Sequence, residues 1–352
     1  MLRLTEIKLP LTHSDDDLAA AIRERLGLRA DAPVRYTLFR RGYDARKPSR
    51  ILFIYTLDVE VDDEAALLAK NIKHVAAAPD MRYRFVAQAP AGLEERPVVI
   101  GLGPCGIFAG LLLAQMGFRP IILERGKPVR ERTKDTWGLW RKGKLDPESN
   151  VQFGEGGAGT FSDGKLHSQI KDPRFYGRKV LTEFVQAGAP PEILYVSKPH
   201  IGTFRLVGMV EQMRHTREAL GGEIRFQSRV ADFDVEEGPD GARQMRGVVL
   251  ADGKRIASRH VVLAVGHSAR DTFAALYARG VHMEAKPFSI GFRIEHPQAL
   301  IDRARFGPQA GHPLPTPRPE VTVSRSSASG SGEKSIDSSS AMLAFTFSSQ
   351  LA

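Results

Sequence analysis

The stretch RPVVIGLGPCGIFAGLLLAQMGFRPIILERG, residues 96–126, constrains the fold more than any other part of the chain. An apolar run enters a glycine-studded turn, an apolar helix follows, and a second apolar run ends on an acid. Gly101, Gly103 and Gly106 stand in G-x-G-x-x-G spacing, with Gly110 four residues further on. The first glycine permits the tight turn from strand to helix. The second lets a pyrophosphate approach the backbone, and the third lets helix and strand pack closely. Backbone N–H groups and the positive end of the helix then face the phosphates. Gly117 is a natural stop for the helix. Glu124 lies 18 residues beyond Gly106, near the roughly 20 expected of an acid that accepts from ribose hydroxyls. Such an acid repels a 2′-phosphate, which argues against NADP at this site. A glycine triplet alone is a weak signal; strand, helix, strand and acid in register make a dinucleotide grip. Cys105, inside the turn, reads as a small turn residue rather than a nucleophile.

With 352 residues the chain has room for two domains. No apolar run approaches the roughly 20 residues needed to span a bilayer, and MLRLTEIKLPLTHSDDD has no signal-peptide core. A single cysteine excludes a disulfide framework and any Cys-x-x-Cys pair, so a reducing cytoplasm is the simplest compartment. The net charge of +9 admits nucleic acid or an anionic membrane as partner. The basic residues are scattered, however, with local clusters only at 40–50 and 127–144. They read as a solvated surface with pockets for anionic cofactors. No metal-ligand spacing stands out among the ten histidines.

Residues 1–90 read as a small α+β domain. The strand LRLTEIKL, the helix SDDDLAAAIRERLGL capped by Ser14 or Asp15, the strands VRYTLFRRGYD and RILFIYTLDVEV, the helix DDEAALLAKNI and a last strand MRYRFVAQ give βαββαβ. That order predicts a ferredoxin-like fold. Residues 91–96 read as a linker. Residues 97–312 read as a larger α/β domain, Rossmann-like, three-layered around a parallel sheet. In it, EIRFQSRVADFDVEE and RQMRGVVLADGKRI form a small antiparallel insert around the turn GPDG. The serine-dominated tail 313–352 cannot bury enough apolar surface to fold, and is expected to be disordered.

NAD and FAD share the ADP half, so further contacts must tell them apart. VQFGEGGAGTFSDGKLHSQI, residues 151–170, holds five glycines together with Ser162, Asp163 and Lys165. Such a loop lets backbone pass close to a flat ring or phosphate, although composition alone also fits a flexible surface loop. RHVVLAVGHSAR contains an apolar strand that ends at Gly266.

These motifs resemble the bacterial FAD-dependent dehydrogenases of unassigned substrate, within the broader glutathione-reductase-like NAD(P)/FAD-dependent oxidoreductases. The residues that carry the resemblance are RRGYDARKPSRILFIYTLDVEV, GLGPCGIFAG with ILERG, QFGEGGAGTFSDGKL, LAVGHSARDTF and KPFSIGFRIEHPQALID, spanning about 1–312. The resemblance implies FAD held at Gly101, Gly103, Pro104, Gly106, Glu124 and Arg125, and at Gly157, Gly159 and Thr160. Val230, through its backbone beside adenine, and Gly266 complete the set; Val265 replaces the Thr usual before that glycine. Family members continue beyond this length. The join near 311–313 looks like a frameshifted or truncated reading frame, with an unusual native tail as the other explanation.

A flavin performs hydride and electron transfer itself, while the protein supplies orientation and electrostatics. Lys165 is a candidate to stabilise reduced flavin, and His167 and His267 to relay protons; Asp163, Arg293 and His296 are weaker candidates. The expected function is FAD-dependent oxidation or reduction of an unidentified small molecule, with NAD(P)H as a possible electron donor. Alternatives are an NAD-binding protein without flavin and an inactive truncated fragment. An RNA-binding first domain using Tyr36, Phe39 and Tyr43 is a further reading, but these aromatics fit core positions better. Substrate and oligomeric state are not readable.

Overall fold

The computed structural model describes residues 1–47, 49–162, 164–166, 170–285 and 296–310. They fall into two compact units. The first comprises Met1–Arg82, Pro191–Pro199 and residues 296–310; the second comprises Tyr83–Pro190 and His200–Ala285.

The first unit runs β1 (Leu2–Pro10), α1 (Asp15–Leu26), β2 (Arg35–Asp44), β3 (Leu52–Glu60), α2 (Glu64–Ala69) and β4 (Val75–Ala77). Ser14 starts α1 with a reciprocal capping box: its hydroxyl accepts from Asp17 N–H, and its own N–H donates to the Asp17 carboxylate at 2.8 Å. Leu18, Ile22 and Leu26 form the buried stripe of the helix. They pack on Leu2, Leu4, Ile7, Tyr55, Leu57 and Val59 of β1 and β3. The sheet order is β2-β3-β1-β4, and every pair is antiparallel. With the βαββαβ chain order this is the split βαβ, ferredoxin-like connectivity.

One strand differs from expectation. The last strand is Val75–Ala77, paired with Leu2–Leu4, and not MRYRFVAQ. Ala78 N–H bonds Met1 O and closes the ladder. Pro79 follows, with no N–H to continue it. The alternating aromatics of 81–88 serve elsewhere: Tyr83 stacks on Phe85 and Tyr176 in the second unit. The aromatics considered for RNA are occupied within the first unit. Tyr36 packs on the core, Phe39 lies 3.6 Å beneath the Arg3 guanidinium, and Tyr43 meets Phe306 edge-on.

The second unit begins with β5 (Val98–Ile100), α3 (Pro104–Gln115), β6 (Ile121–Leu123), α4 (Val129–Lys142), α5 (Tyr176–Gln186), α6 (Thr203–Ala219) and β7 (Glu223–Arg225). It continues with β8 (Val230–Glu237), β9 (Arg243–Leu250), β10 (Arg255–Ala257), β11 (Val261–Leu263) and α7 (Arg270–Ala278). A last helix, α8 (Gln298–Phe306), belongs to the first unit. The parallel sheet has the order β11-β5-β6-β7. Numbered by their own succession, its strands stand 3-2-1-4, the half-sheet order of dinucleotide-binding folds.

Val98, Ile100, Ile121 and Leu123 face Val230, Phe233, Val248 and Ile256 of the antiparallel β8–β10 sheet. The intervening Ile122 turns to the other face, against Gly110 of α3. The three layers are therefore helices, parallel sheet and antiparallel sheet. EIR belongs to the parallel sheet as β7, not to the antiparallel insert, because Glu223–Arg225 pair with Ile121–Leu123. The serine-rich tail and the segment containing Arg293 lie outside the described residues. Among the described residues no helix is long and apolar enough to cross a membrane.

Candidate functional site

The strand order reverses between β5 and β11, and the glycine turns meet at the carboxyl ends of these two strands. Gly101 N–H bonds Leu123 O and Ala264 N–H bonds Ile100 O, each at 2.8 Å. Gly101 has φ +98°, and a Cβ there would stand 2.5 Å from Ala264 O. A Cβ on Gly106 would overlap the carbonyl of Gly101. Both positions therefore require glycine, one for its backbone angle and both for close approach. Gly103 begins α3 with no capping side chain; Pro104 takes the first position, and the first turn holds no acid. Pro104 and Cys105 are exposed. An open, uncapped helix start without acids fits an anionic group, because backbone N–H donors and the helix dipole favour negative charge there.

The second glycine-rich segment rests on this turn. Gly156 N–H bonds Leu102 O at 2.8 Å, and a Cβ on Gly157 would stand 3.0 Å from Gly103 Cα and 3.1 Å from Pro104 Cδ. Glu124 ties the two together and is 4% exposed. One of its oxygens accepts from Leu102 N–H at 2.7 Å. The other accepts from Gly126 N–H at 2.8 Å and Gly154 N–H at 2.9 Å. The expected ribose acceptor thus also organises the site, with three of its roughly four acceptor positions used by backbone.

Three charged residues of this unit are fully buried, and sequence reasoning missed them. Arg132 is fully buried and donates to the carbonyls of Asn150, Val151 and Glu155 at 2.6–2.7 Å, with its guanidinium 4.7 Å from the centre of the Phe161 ring. Glu155 is fully buried; its Oε2 accepts from Val129 N–H at 2.8 Å and from Arg214 at 3.0 Å. Arg217 is fully buried and donates to Ile107 O at 3.2 Å. Burial pulls the guanidinium groups of Arg132 and Arg217 down to about 10. Burial also pushes the Glu155 carboxyl up, opposed by Val129 N–H and Arg214. A signal was present: Leu206, Met209, Val210 and Met213 set the buried stripe of α6, and Arg217 continues it one turn later.

Other expected residues are placed less directly. Arg125 has its guanidinium occupied, by Glu148 at 2.7 Å, Asp271 at 3.0 and 3.1 Å, and the Phe153 ring at 4.2 Å. Thr160 is buried, and its hydroxyl donates to Glu155 O. Gly159 is exposed on the short 3-10 turn Ala158–Phe161. Val230 buries its side chain in the core where β8 begins; just before it, Ser228 N–H bonds Glu124 O. Gly266 and His267 are exposed beyond β11, and His267 Nε2 lies 3.1 Å from the Ser268 hydroxyl. Lys165 is exposed and bridges by its backbone to His200. His167 and Asp163 lie outside the described residues, and His296 is exposed. Among the described residues no group of three or more His, Cys, Asp or Glu could hold a metal ion.

A domain of unknown function (DUF8436) matches residues 1–60. A protein of Clostridium beijerinckii, described as uncharacterized, is 40% identical over 313 residues, which is 89% of this chain and 57% of that one. The chain thus spans little more than half the length of this relative. Among solved structures, THI4 of Thermovibrio ammonificans aligns at 19% identity and a TM-score of 0.35, over 54% of this chain and 63% of that one. The L-amino acid deaminase of Proteus vulgaris aligns at 15% identity and 0.33, over 56% and 59%. OTEMO in an FAD-bound form aligns at 17% and 0.29, over 51% and 26%. At these scores the likeness is too loose to carry a functional argument.

Proposed function

We propose that this chain binds FAD and belongs to an FAD-dependent oxidoreductase acting on a small molecule, with NAD(P)H as electron donor. The observation that carries the reading is the meeting of three turns at the strand-order reversal: Gly101–Gly106, Gly154–Gly157 and Ala264–Gly266 crowd one uncapped helix start. The first turn alone would suit any ADP-containing cofactor. The second and third add the close backbone approaches that an extended flavin needs.

In this reading the N–H groups at the start of α3 receive the pyrophosphate. Gly103 leaves it room, since among the described residues outside its chain neighbours and helix a Cβ there would meet only Gly157 Cα within 4 Å, at 3.8 Å. Glu124 keeps one acceptor position for the ribose. Backbone at Val230 would meet adenine, and Arg125, bonded to Glu148 and Asp271, would act through them. Bound flavin supplies the hydride and electron transfer. Lys165, His167 and His267 are the candidates for charge and proton handling beside it. One exposed cysteine and the lack of a membrane-spanning helix among the described residues fit a cytoplasmic compartment. The activity of a longer protein like the clostridial relative is part of the proposal.

The deciding measurement is the absorption spectrum of the purified chain, with and without added FAD. Bands near roughly 370 and 450 nm, and FAD released on denaturation, are expected of a flavoprotein. A folded, colourless protein that still binds NAD after FAD is added would replace this reading with the plain dinucleotide one. Cys105 gives a second readout, because it sits in the first turn of α3 and is the single cysteine. Thiol labelling should slow when FAD or ADP covers the turn.

A further inference from the structure

Glu155 stands between two glycines of the loop, yet its side chain is sealed from solvent. Its backbone is held on both sides: its N–H bonds Lys127 O, and its carbonyl accepts from Arg132. Its carboxylate reaches the first N–H of α4 and Arg214 of α6. Its other oxygen, Oε1, has no hydrogen-bond partner among the described residues; neither do Nε and Nη2 of Arg217 one turn along α6. These unsatisfied donors and acceptor belong to groups that attract each other electrostatically. The charged groups that act on the carboxylate are Arg214, Arg217 and Glu211 from α6 and Arg132 from α4, and Arg132 also feels Glu124.

We propose that Glu155 is a positioning residue: its negative charge, held by Arg214 and Arg217, keeps the Gly154–Gly157 turn seated on Gly103 and Pro104, and so sets the affinity for an anionic dinucleotide that it never touches. The inference rests on the FAD reading above. The seat is narrow. Gly156 N–H must reach Leu102 O, and Gly157 must pack on Gly103 and Pro104 without side-chain atoms between. A turn held on one side by a buried ion pair loosens when the carboxylate is neutralised, because Arg214 and Arg217 then lose their counter-charge. Burial raises the Glu155 carboxyl. Its proton therefore arrives at a higher pH than for an exposed glutamate, and FAD affinity should be complete above that point and fall as pH drops through it.

The test is FAD affinity of the full chain, followed by quenching of FAD fluorescence between pH 5 and 8, in wild type, Glu155→Gln and Arg214→Met. Wild type should lose about tenfold in affinity on acidification, the scale of coupling seen for residues remote from a ligand. Glu155→Gln should bind about tenfold more weakly at pH 8 and show no acid limb. Arg214→Met removes a cation that lowers the Glu155 carboxyl, so its acid limb should move to higher pH. That shift is not expected of a residue that only fills space. If Glu155→Gln fails to fold, the wild-type profile and the Arg214→Met shift decide. A flat wild-type profile, an acid limb that survives in Glu155→Gln, or an unmoved limb in Arg214→Met would overturn the inference while leaving FAD binding intact. A wild type that binds no FAD at any pH would instead remove the reading beneath it.

Discussion

The two principal sheets are held by different means. The N-terminal sheet has three strands of nine or ten residues, and Leu2, Leu4, Ile7, Tyr55, Leu57 and Val59 of β1 and β3 share one core with α1. Its order comes from side-chain burial, with Leu2, Leu4, Ile22 and Leu57 wholly enclosed. The parallel sheet has four strands of three residues each. Beyond its strand ends, order comes from backbone crossings at glycines and from charges sealed inside. Apolar packing tolerates no ligand, whereas a crossing of bare backbone leaves N–H groups where an anion can use them. The difference separates a part whose stability lies in its side chains from a part whose backbone is shaped for binding.

The sharpest way to test that contrast is to add atoms at the crossing. Gly101→Val places a β-branched residue at φ +98° and a Cβ 2.5 Å from Ala264 O. The strained backbone and the clash together should cost about 3 kcal/mol or more. FAD should be absent from the purified variant. Hydrogen exchange should rise in β5, α3 and β11 while β1–β3 stay protected. Equal loss of protection in both sheets would break the comparison.

Removing atoms from the other sheet should do the converse. Leu57 is wholly buried among Leu4, Ile22 and Val59. Leu57→Ala should cost about 2–5 kcal/mol, with melting and exchange changed in the first unit and flavin content retained. Glu124→Gln is a subtler probe of the second. The amide can accept at one oxygen only, yet three backbone N–H groups point at the carboxylate. Leaving one of them facing an NH₂ should cost about 1–3 kcal/mol and weaken FAD binding, read as faster loss of flavin on dilution.

The same contrast explains what was legible in the sequence. Runs of β-branched, aromatic and aliphatic residues in LRLTEIKL and RILFIYTLDVEV mark strands, and Ser14 with Asp17 marks the helix that follows the first of them. The grip at 98–124 was legible because glycine spacing is a backbone requirement written in residue type. MRYRFVAQ misled because alternating aromatic and basic residues look like a strand, and nothing local shows that β1 pairs with Val75–Ala77 instead. EIR was placed in the wrong sheet for the same reason, since which sheet takes a three-residue strand is a tertiary matter. Arg132 and Arg217 were hidden because a charged residue is ordinarily read as solvated. Only its position on the buried stripe of α6 distinguishes Arg217 from a surface arginine.

The smallest effect expected belongs to the capping box. Ser14→Ala removes the hydroxyl that accepts from Asp17 N–H and leaves the first turn of α1 with one donor fewer satisfied. The three acids of that turn and the left-handed Gly27 at the far end still favour the helix. The loss should therefore be about 1 kcal/mol, seen as a modest fall in the melting temperature of the first unit. Among the described residues, none of the hydrogen bonds given for the glycine crossing involves α1, so FAD affinity should not change. A fall in affinity with Ser14→Ala would mean that the sheet built on side chains also sets the geometry of the backbone site, and the division drawn between them would have to go.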